Sequence, residues 1–183
     1  ALYGFVRVAD DFVDSTPQDA SGFHAFREAY RRALSGHPAH DEIIDPFVEL
    51  SRRRDFALEW TEAFLDSMEM DLSKTTYRRL EETLEYIYGS AEVIGLYMAR
   101  ILGLPAISLD AAMMQGRAMQ FINFIRDVAE DNRFGRTYLP LDDTTLPDLN
   151  EDTARAAPEE FSRFIRAQLD RYDEWQGVAE GGY

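Results

Sequence analysis

The sequence predicts an all-α fold of one domain, and three observations lead to that expectation. Apolar residues recur at helical spacing along most of the 183 residues, and no segment sustains the two-residue alternation of a strand. The length suits a single core, and the absence of cysteine excludes disulfides and thiolate metal sites. The chain opens inside an apolar pattern and closes on AEGGY without a clear final element. We therefore expect residues 1–183 to form one domain that is truncated at both ends.

Four helices are predicted in the first part of the chain, and breakers follow the first, second and fourth of them. Pro17 and Gly22 interrupt the pattern after the first helix, and Gly36 stops the second. The segment HPAHDEIIDP leads into the third helix, and DLSKTT ends the fourth, whose apolar stripe contains Trp60 and Phe64. The expected ranges are residues 1–14, 23–34, 46–53 and 56–70.

Three longer helices are predicted in the remainder, over residues 76–103, 108–132 and 158–177. The first of them contains Gly89 and Gly95, which lower helix stability and therefore indicate a kink or a close approach of another backbone. The segment RFGRTYLPLDD, between the last two helices, is predicted to be a loop.

Charge and composition limit the partners that the protein can bind. The net charge of −15 argues against nucleic acids, because binding a phosphate backbone requires basic patches. Lys74 is the only lysine, and this acidic, Arg-rich composition fits a salt-rich halophilic cytoplasm and a high-GC genome equally well. No stretch is long and apolar enough to span a bilayer. We expect a cytoplasmic protein, with a peripheral membrane contact left open.

The first helix carries three carboxylates in an otherwise apolar run, FVRVADDFVD. At about 100° per residue, the polar side chains of one stripe lie within roughly 60° of one another. They are Tyr3, Arg7, Asp10 and Asp14, with Asp11 off to one side. A solvated helix face is usually wider and carries partners of opposite charge at i,i+4. A narrow polar stripe on an apolar helix instead predicts the wall of a cavity inside a bundle.

The segment MQFINFIRDVAEDN repeats this arrangement. Gln120, Asn123, Asp127 and Asp131 lie within roughly 80° of one another on a helix, and Gly116, one turn earlier, leaves room for a ligand. Each stripe thus offers aspartates at i and i+4. Two such stripes facing each other would repel strongly, so we expect a cation between them.

The donor atoms of the two stripes indicate which cation they bind. Oxygen ligands without cysteine or well-placed histidine favour Mg²⁺, with Mn²⁺ as a substitute. Mg²⁺ retains waters and shares its other positions with substrate phosphates, and Arg7 and Arg126 are available for diphosphate oxygens. An apolar cavity with Mg²⁺ and diphosphate at one end predicts a prenyl diphosphate substrate, whose carbocation apolar and aromatic walls would shelter.

Three segments occur in the order and spacing of one known family. They are YGFVRVADDFVD near the start, YIYGSAEVIGLYMARILG in the middle and QFINFIRDVAEDNRFGRTYLP beyond it. They resemble the first aspartate-rich motif, the tyrosine-rich signature, and the second aspartate-rich motif with its flap in the squalene/phytoene synthase family. The resemblance covers residues 1–143 strongly and the last helix more loosely. Bacterial and haloarchaeal phytoene synthases are the most similar in appearance.

The resemblance implies an isoprenoid synthase fold, a helical bundle around a central cavity, and head-to-head (1′–1) condensation of two prenyl diphosphates. One donor ionises to an allylic cation, the double bond of the second substrate attacks it, and the cyclopropylcarbinyl diphosphate formed then ionises and rearranges. Two geranylgeranyl diphosphates would give phytoene, through prephytoene diphosphate and loss of a proton, in carotenoid biosynthesis. Farnesyl diphosphate with NADPH would give squalene instead, or presqualene or hydroxysqualene in an enzyme that stops earlier.

The resemblance also implies roles for individual residues. The matches to the catalytic aspartates that bind Mg²⁺ and diphosphate are Asp10, Asp14, Asp127 and Asp131. The matches to polar residues that hold the diphosphates and the metal are Arg7, Gln120, Asn123 and Arg126, with Asn123 also assigned as a metal ligand. Tyr86 matches a catalytic tyrosine that helps in the proton or cation steps. The substrate-binding set is completed by Tyr3 on the first stripe and by Arg136 and Tyr138 in the flap.

Departures from the family pattern and competing functions remain open. Ile87 stands where many members have cysteine, and Glu92 stands where many have glycine; Glu92 either faces the cavity or pairs with an arginine. A class I terpene cyclase is disfavoured, since NFIRDVAED lacks the serine of an Asn-Ser-Glu motif. A non-catalytic scaffold or assembly homologue is the alternative from another class, although such relatives tend to lose the aspartates that are intact here.

Overall fold

The computed structural model describes residues 1–181 as helices joined by loops, in two units, Ala1–Ser73 (unit 1) and Lys74–Tyr183 (unit 2). Within residues 1–181 the only β-type pairing is one parallel bridge between Thr76 and Thr137. The prediction of an all-α fold is confirmed.

Unit 1 contains the four helices that the sequence predicts. They are α1 (Leu2–Asp14), α2 (Ala20–Leu34), α3 (Ile44–Arg54) and α4 (Leu58–Met70). The second helix begins three residues earlier than expected because Asp19 caps it, accepting a hydrogen bond from the backbone N–H of Gly22 at 2.8 Å.

Aromatic packing fixes the orientation of α1 in unit 1. The buried face of this helix consists of Phe5, Ala9 and Val13. The ring of Phe5 stacks on Phe47 of α3 at 3.9 Å between centroids and lies 5.0 Å from Phe26 of α2. With this face buried, the acidic stripe of α1 is turned away from the core of the unit.

Unit 2 is built around a helix with an inserted π-helical turn. Its elements are α5 (Leu80–Ile87), a π-helix (Tyr88–Glu92), α6 (Val93–Leu102), α7 (Leu109–Arg126), α8 (Val128–Arg133), α9 (Glu151–Ala156) and α10 (Pro158–Gly181). The π-helix contains Gly89, one of the two glycines for which a kink or a close backbone approach was expected. The expected helix start at residue 76 is wrong by four residues, because the backbone of Tyr77 bonds to Thr137 instead (N to O, 3.0 Å).

The prediction of a continuous helix over residues 108–132 is wrong at Asp127. This residue adopts φ −97° and ψ 7°, which ends α7 and starts α8. The ladder is kept across the bend, since Asp127 N bonds to Asn123 O and Asp131 N to Asp127 O, both at 2.8 Å. The short helix α9 is an addition, and Asn150 caps it by accepting from the N–H of Thr153 at 2.9 Å.

Candidate active site

The acidic stripe of α1 lies at the surface of unit 1. Tyr3 is 80% exposed, Arg7 and Asp14 are exposed, and Asp10 is half-buried. The Arg7 guanidinium lies 2.7 Å from the Asp11 carboxylate and 3.4 Å from that of Asp10. In this arrangement Arg7 partly neutralises the first motif.

The carboxyl group of Asp10 is electrostatically strained. Partial burial, and then the neighbouring charge of Asp14, raise its pKa from 3.8 to about 6, an effect that Arg7 partly offsets. Asp11 and Asp71 add further repulsion. Asp71 directly follows α4 and is buried. The sequence did not single it out, although it lies next to the apolar stripe that ends at Met68 and Met70.

This raised pKa predicts a specific pH dependence of folding in Mg²⁺-free protein. The folded state holds the Asp10 proton more tightly than the unfolded state does, so this stabilisation is complete below about pH 4 and is lost as pH rises through about 6. Since the side chain is 36% exposed, we expect a loss of only about 1 kcal/mol. Urea unfolding at pH 4.5 and 7.5 should show this loss in the wild type and not in Asp10→Asn; identical pH profiles would contradict the burial of Asp10.

The second aspartate motif begins at the break between α7 and α8. The guanidinium of Arg126 grips Asp127 with two parallel hydrogen bonds, Nε to Oδ1 at 2.6 Å and Nη2 to Oδ2 at 2.5 Å. These bonds lower the pKa of Asp127 below its ordinary value. Asp131, half-buried one turn later, accepts the backbone N–H of Arg136 on its carbonyl at 2.8 Å and so ties the flap to α8.

A groove of about 390 Å³ runs between the π-helix, α6 and α7 in unit 2. Its polar end is formed by Ser90, Gln120 and Asn123, and its far end by apolar residues that include Met98 and Leu102. The Ser90 hydroxyl oxygen is buried and has no hydrogen-bond partner among the described residues. Asn123 is linked to Asp127 through one helical turn, so the polar end of the groove continues into the second aspartate motif.

Two glycines allow the helices that line the groove to approach each other. A Cβ atom on Gly95 would lie 2.2 Å from the Ala112 carbonyl oxygen, and one on Gly116 would lie 2.5 Å from that of Ala91. The close approach expected at Gly95 is confirmed. At Gly116 the space left by the missing side chain is taken by the π-helix backbone, although Gly116 also borders the groove.

The predicted tyrosine and the flap meet in one aromatic cluster of unit 2. The ring of Tyr138 stacks on Phe124 of α7 at 4.5 Å between centroids, and the ring of Tyr86 lies 5.1 Å from that of Tyr138. The Thr83 hydroxyl donates to the Tyr138 carbonyl at 2.8 Å and anchors the flap on α5. Arg136 Nη1 lies 3.4 Å from the Tyr138 hydroxyl. Tyr86 and Tyr138 are therefore buried against Phe124, the residue that follows Asn123 on α7.

The donors of the two motifs suit Mg²⁺ without forming a ready-made cage. Among residues 1–181 no group of three or more His, Cys, Asp or Glu side chains is arranged to hold a metal ion. The available donors are carboxylate oxygens and the Asn123 amide, which are hard ligands. Mg²⁺ usually takes one or two carboxylates and completes its shell with water and substrate phosphates. Carboxylates in pairs match that mode of binding.

Glu92, which was expected either to face the cavity or to pair with an arginine, pairs with Arg117. It is 1% exposed, it does not border the groove, and it accepts a hydrogen bond from Arg117 Nε at 2.7 Å. Arg117 was not singled out from the sequence, because it lies 25 positions further along the chain and an arginine on an exposed helix face would look the same.

Comparison with known proteins identifies the family. The model of the squalene/phytoene synthase family matches residues 1–182. The chain therefore belongs to the squalene/phytoene synthase family. It is 33% identical to a 15-cis-phytoene synthase of Paracoccus sp. (strain N81106 / MBIC 01143), over 90% of this chain and 58% of the relative. It is 32% identical to that of Pantoea ananas, over 99% of this chain and 63% of the relative. The chain thus spans about three fifths of the length of these relatives.

Solved structures share the fold. A dehydrosqualene synthase in complex with ligand superimposes with a TM-score of 0.79 at 22% identity, covering 97% of this chain and 63% of that one. Squalene synthase HpnC from Alicyclobacillus acidocaldarius gives a TM-score of 0.68 at 21% identity, covering 98% and 80%. These matches confirm the expected isoprenoid synthase fold. No helix within residues 1–181 has the length and apolarity needed to cross a membrane. The roles of individual residues and the single truncated domain stay predictions.

Proposed function

We propose that the protein condenses two molecules of geranylgeranyl diphosphate head to head (1′–1) to phytoene, through prephytoene diphosphate. The observation that carries this proposal is the groove of unit 2, which is apolar along its length and ends at Gln120 and Asn123, one turn before Asp127. A prenyl diphosphate has the same division into a long apolar tail and an anionic head. Membership of the family and the names of the curated relatives support the same reaction.

We assign the diphosphate heads to the two aspartate motifs. Bound Mg²⁺ would supply the positive charge that stabilises the departing diphosphate. The proposed Mg²⁺ ligands are, in the first motif, Asp10 and Asp14 and, in the second motif, Asn123, Asp127 and Asp131. Arg7 pairs with Asp11 and Asp10, and Arg126 pairs with Asp127. We propose that both guanidinium groups would bind diphosphate oxygens of the substrates. Gln120, Tyr3, Arg136 and Tyr138 complete the proposed substrate contacts.

The aromatic cluster of Tyr86, Tyr138 and Phe124 suits carbocation chemistry. In the proposed reaction the first diphosphate leaves with the C–O bonding electrons, the double bond of the second substrate supplies the electrons of the new C–C bond, and loss of a proton closes the cyclopropane ring of prephytoene diphosphate. The second diphosphate then leaves with its own C–O bonding electrons, and loss of a second proton from the rearranged cation gives phytoene. The rings of Tyr86, Tyr138 and Phe124 are polarisable and exclude water, so they stabilise a cation without trapping it. Tyr86 is our candidate for assisting the proton or cation steps.

The proposed setting is the cytoplasm, with a peripheral contact with a membrane. The substrates and product of the proposed reaction are lipids, and phytoene in particular has no polar group. A protein that binds them gains from lying close to a bilayer.

Product analysis tests the proposed function. The purified protein is incubated with Mg²⁺ and either geranylgeranyl or farnesyl diphosphate, with and without NADPH, and EDTA serves as the control. We expect phytoene from geranylgeranyl diphosphate without NADPH and no product in EDTA. Squalene formed only from farnesyl diphosphate with NADPH would overturn the phytoene assignment. Absence of any product with either substrate, in Mg²⁺ or Mn²⁺, would favour a non-catalytic homologue.

A further inference from the structure

A buried ion pair joins the π-helix to α7 at a point that the proposed chemistry does not use. Glu92 is the last residue of the π-helix, and its side chain is 1% exposed. Arg117 of α7 donates to it from Nε at 2.7 Å. A carboxylate so fully removed from water requires a charged or hydrogen-bonding partner, and removal of that partner is strongly unfavourable. The pair therefore couples the positions of the two elements.

The ion pair lies beside the tightest backbone contact in this region. Gly116, which immediately precedes Arg117, approaches the Ala91 carbonyl so closely that a Cβ atom would lie 2.5 Å away. It would also lie 3.0 Å from the Cα of Glu92. Backbone contact and ion pair thus fix the same residues of the π-helix against the same turn of α7. A slide of one element along the other would break both.

The last helix contacts the arginine of this ion pair. The ring of Trp175 in α10 lies 5.4 Å from the guanidinium carbon of Arg117 and packs edge-on against Phe121 at 4.9 Å. A cation over an indole face is attracted to it, and an apolar cover strengthens the ionic attraction by excluding water. Trp175 therefore orients the guanidinium of Arg117, whose Nε donates a hydrogen bond to Glu92.

We infer that Glu92 and Arg117 are positioning residues that hold the π-helix in register with α7. The two elements carry opposite walls of the polar end of the groove, Ser90 on the π-helix and Gln120 and Asn123 on α7. A turn of π-helix is a frequent feature of functional sites, and buried ionic groups can specify one register where apolar packing would permit several. The inference deepens the proposed function and depends on it for its kinetic test.

Kinetics of three variants test this positioning role. Glu92→Gln and Arg117→Gln each remove one charge, and the double variant removes both. We expect each single variant to lower kcat by about 10- to 100-fold, as a misplacement of about 1 Å can do. KM should change by less than about threefold, because the proposed diphosphate ligands are untouched. Since the two residues act as a unit, the kcat of the double variant should be no lower than that of the less active single variant.

A matched control and a conservative variant keep the result interpretable. Arg155→Gln breaks an Arg–Glu pair with Glu151 that is exposed on both sides, and it should leave kcat and KM unchanged. Arg117→Lys keeps the charge and should recover part of the lost kcat. Losses that add in the double variant, or wild-type kcat in a folded single variant, would overturn the inference.

Hydrogen–deuterium exchange provides a readout that does not depend on turnover. In Arg117→Gln, peptides covering residues 88–95 and 116–123 should exchange at least about tenfold faster than in the Arg155→Gln control. Unchanged exchange would overturn the proposal that the ion pair holds the π-helix in register with α7, even if kcat fell. If the wild type makes no product, the proposed function fails. The exchange measurement still tests whether the ion pair holds the π-helix in register with α7. Variants that fail to fold are replaced in both measurements by Arg117→Lys.

Discussion

Replacement of Asp127 or Asp10 by alanine is expected to lower kcat by a factor of about 10³ or more while the helices remain folded. Each carboxylate is assigned to Mg²⁺ and a diphosphate that gains negative charge as the C–O bond breaks. Loss of a single group that stabilises such charge commonly costs a factor of about 10² to 10³, and loss of a metal ligand also weakens metal binding. Turnover under saturating prenyl diphosphate and Mg²⁺ measures the effect.

The structure separates this loss of function from a loss of fold. Asp127 pairs with Arg126, a side chain that is 67% exposed, so the pair contributes little to stability. Asp10 is repelled by its acidic neighbours and has a raised pKa, so its removal should leave the stability of unit 1 at neutral pH unchanged or slightly higher. Circular dichroism and urea unfolding would report both. A residue that is unfavourable for stability is retained for function in many sites.

Asp152→Ala is the matched control, since Asp152 is 93% exposed on α9 and belongs to neither motif. It should retain wild-type turnover. Near-normal turnover in Asp10→Ala or Asp127→Ala would instead remove that residue from the metal site. Turnover that falls together with helix content would mean that the aspartate is structural.

The sequence predicted well what depends on local pattern. Apolar periodicity located four helices in unit 1 and most of the long helices in unit 2, because a 3.6-residue stripe is directly visible. The two aspartate motifs were also readable, since their spacing is that of one helical turn. The bend at Asp127 was not readable. It depends on one residue leaving the helical region while its backbone bonds on both sides are kept, and no proline or glycine marks it.

Features that depend on contacts between residues far apart in the chain could not be predicted from the sequence. The elements that line the groove approach each other where Gly95 and Gly116 meet particular carbonyl groups of the opposite element. Glycine spacing indicates a close approach but does not identify its partner. The pairing of Glu92 with Arg117 was left open for the same reason. The buried Asp71 resembled an ordinary loop acid until the fold showed its effect on Asp10.

The close approach of α6 and α7 yields the other large expected effect, on stability. Gly95→Ala places a Cβ atom 2.2 Å from the Ala112 carbonyl oxygen, and this neighbour is backbone that cannot swing aside. The two helices must separate by roughly 1 Å, and overpacking of this kind costs typically about 1–3 kcal/mol, occasionally more. Alanine gains about 1 kcal/mol over glycine in a helix interior, which offsets only part of this cost. A contact as short as 2.2 Å with backbone puts the cost near the upper end of that range, so we expect a net loss of about 1–2 kcal/mol in urea unfolding.

Gly177→Ala in α10 makes the same chemical change where no atom lies within 4 Å of the new Cβ. Only the helix-propensity gain remains there, so the free energy of unfolding should rise, by up to about 1 kcal/mol. The opposite signs of the two substitutions isolate the contact between α6 and Ala112 from the general effect of alanine. Because Gly95 also borders the groove, its variant should lose turnover while Gly177→Ala keeps it. If both variants were stabilised, α6 and α7 could not be packed as closely as the structure has them, and the walls of the groove would have to be redrawn.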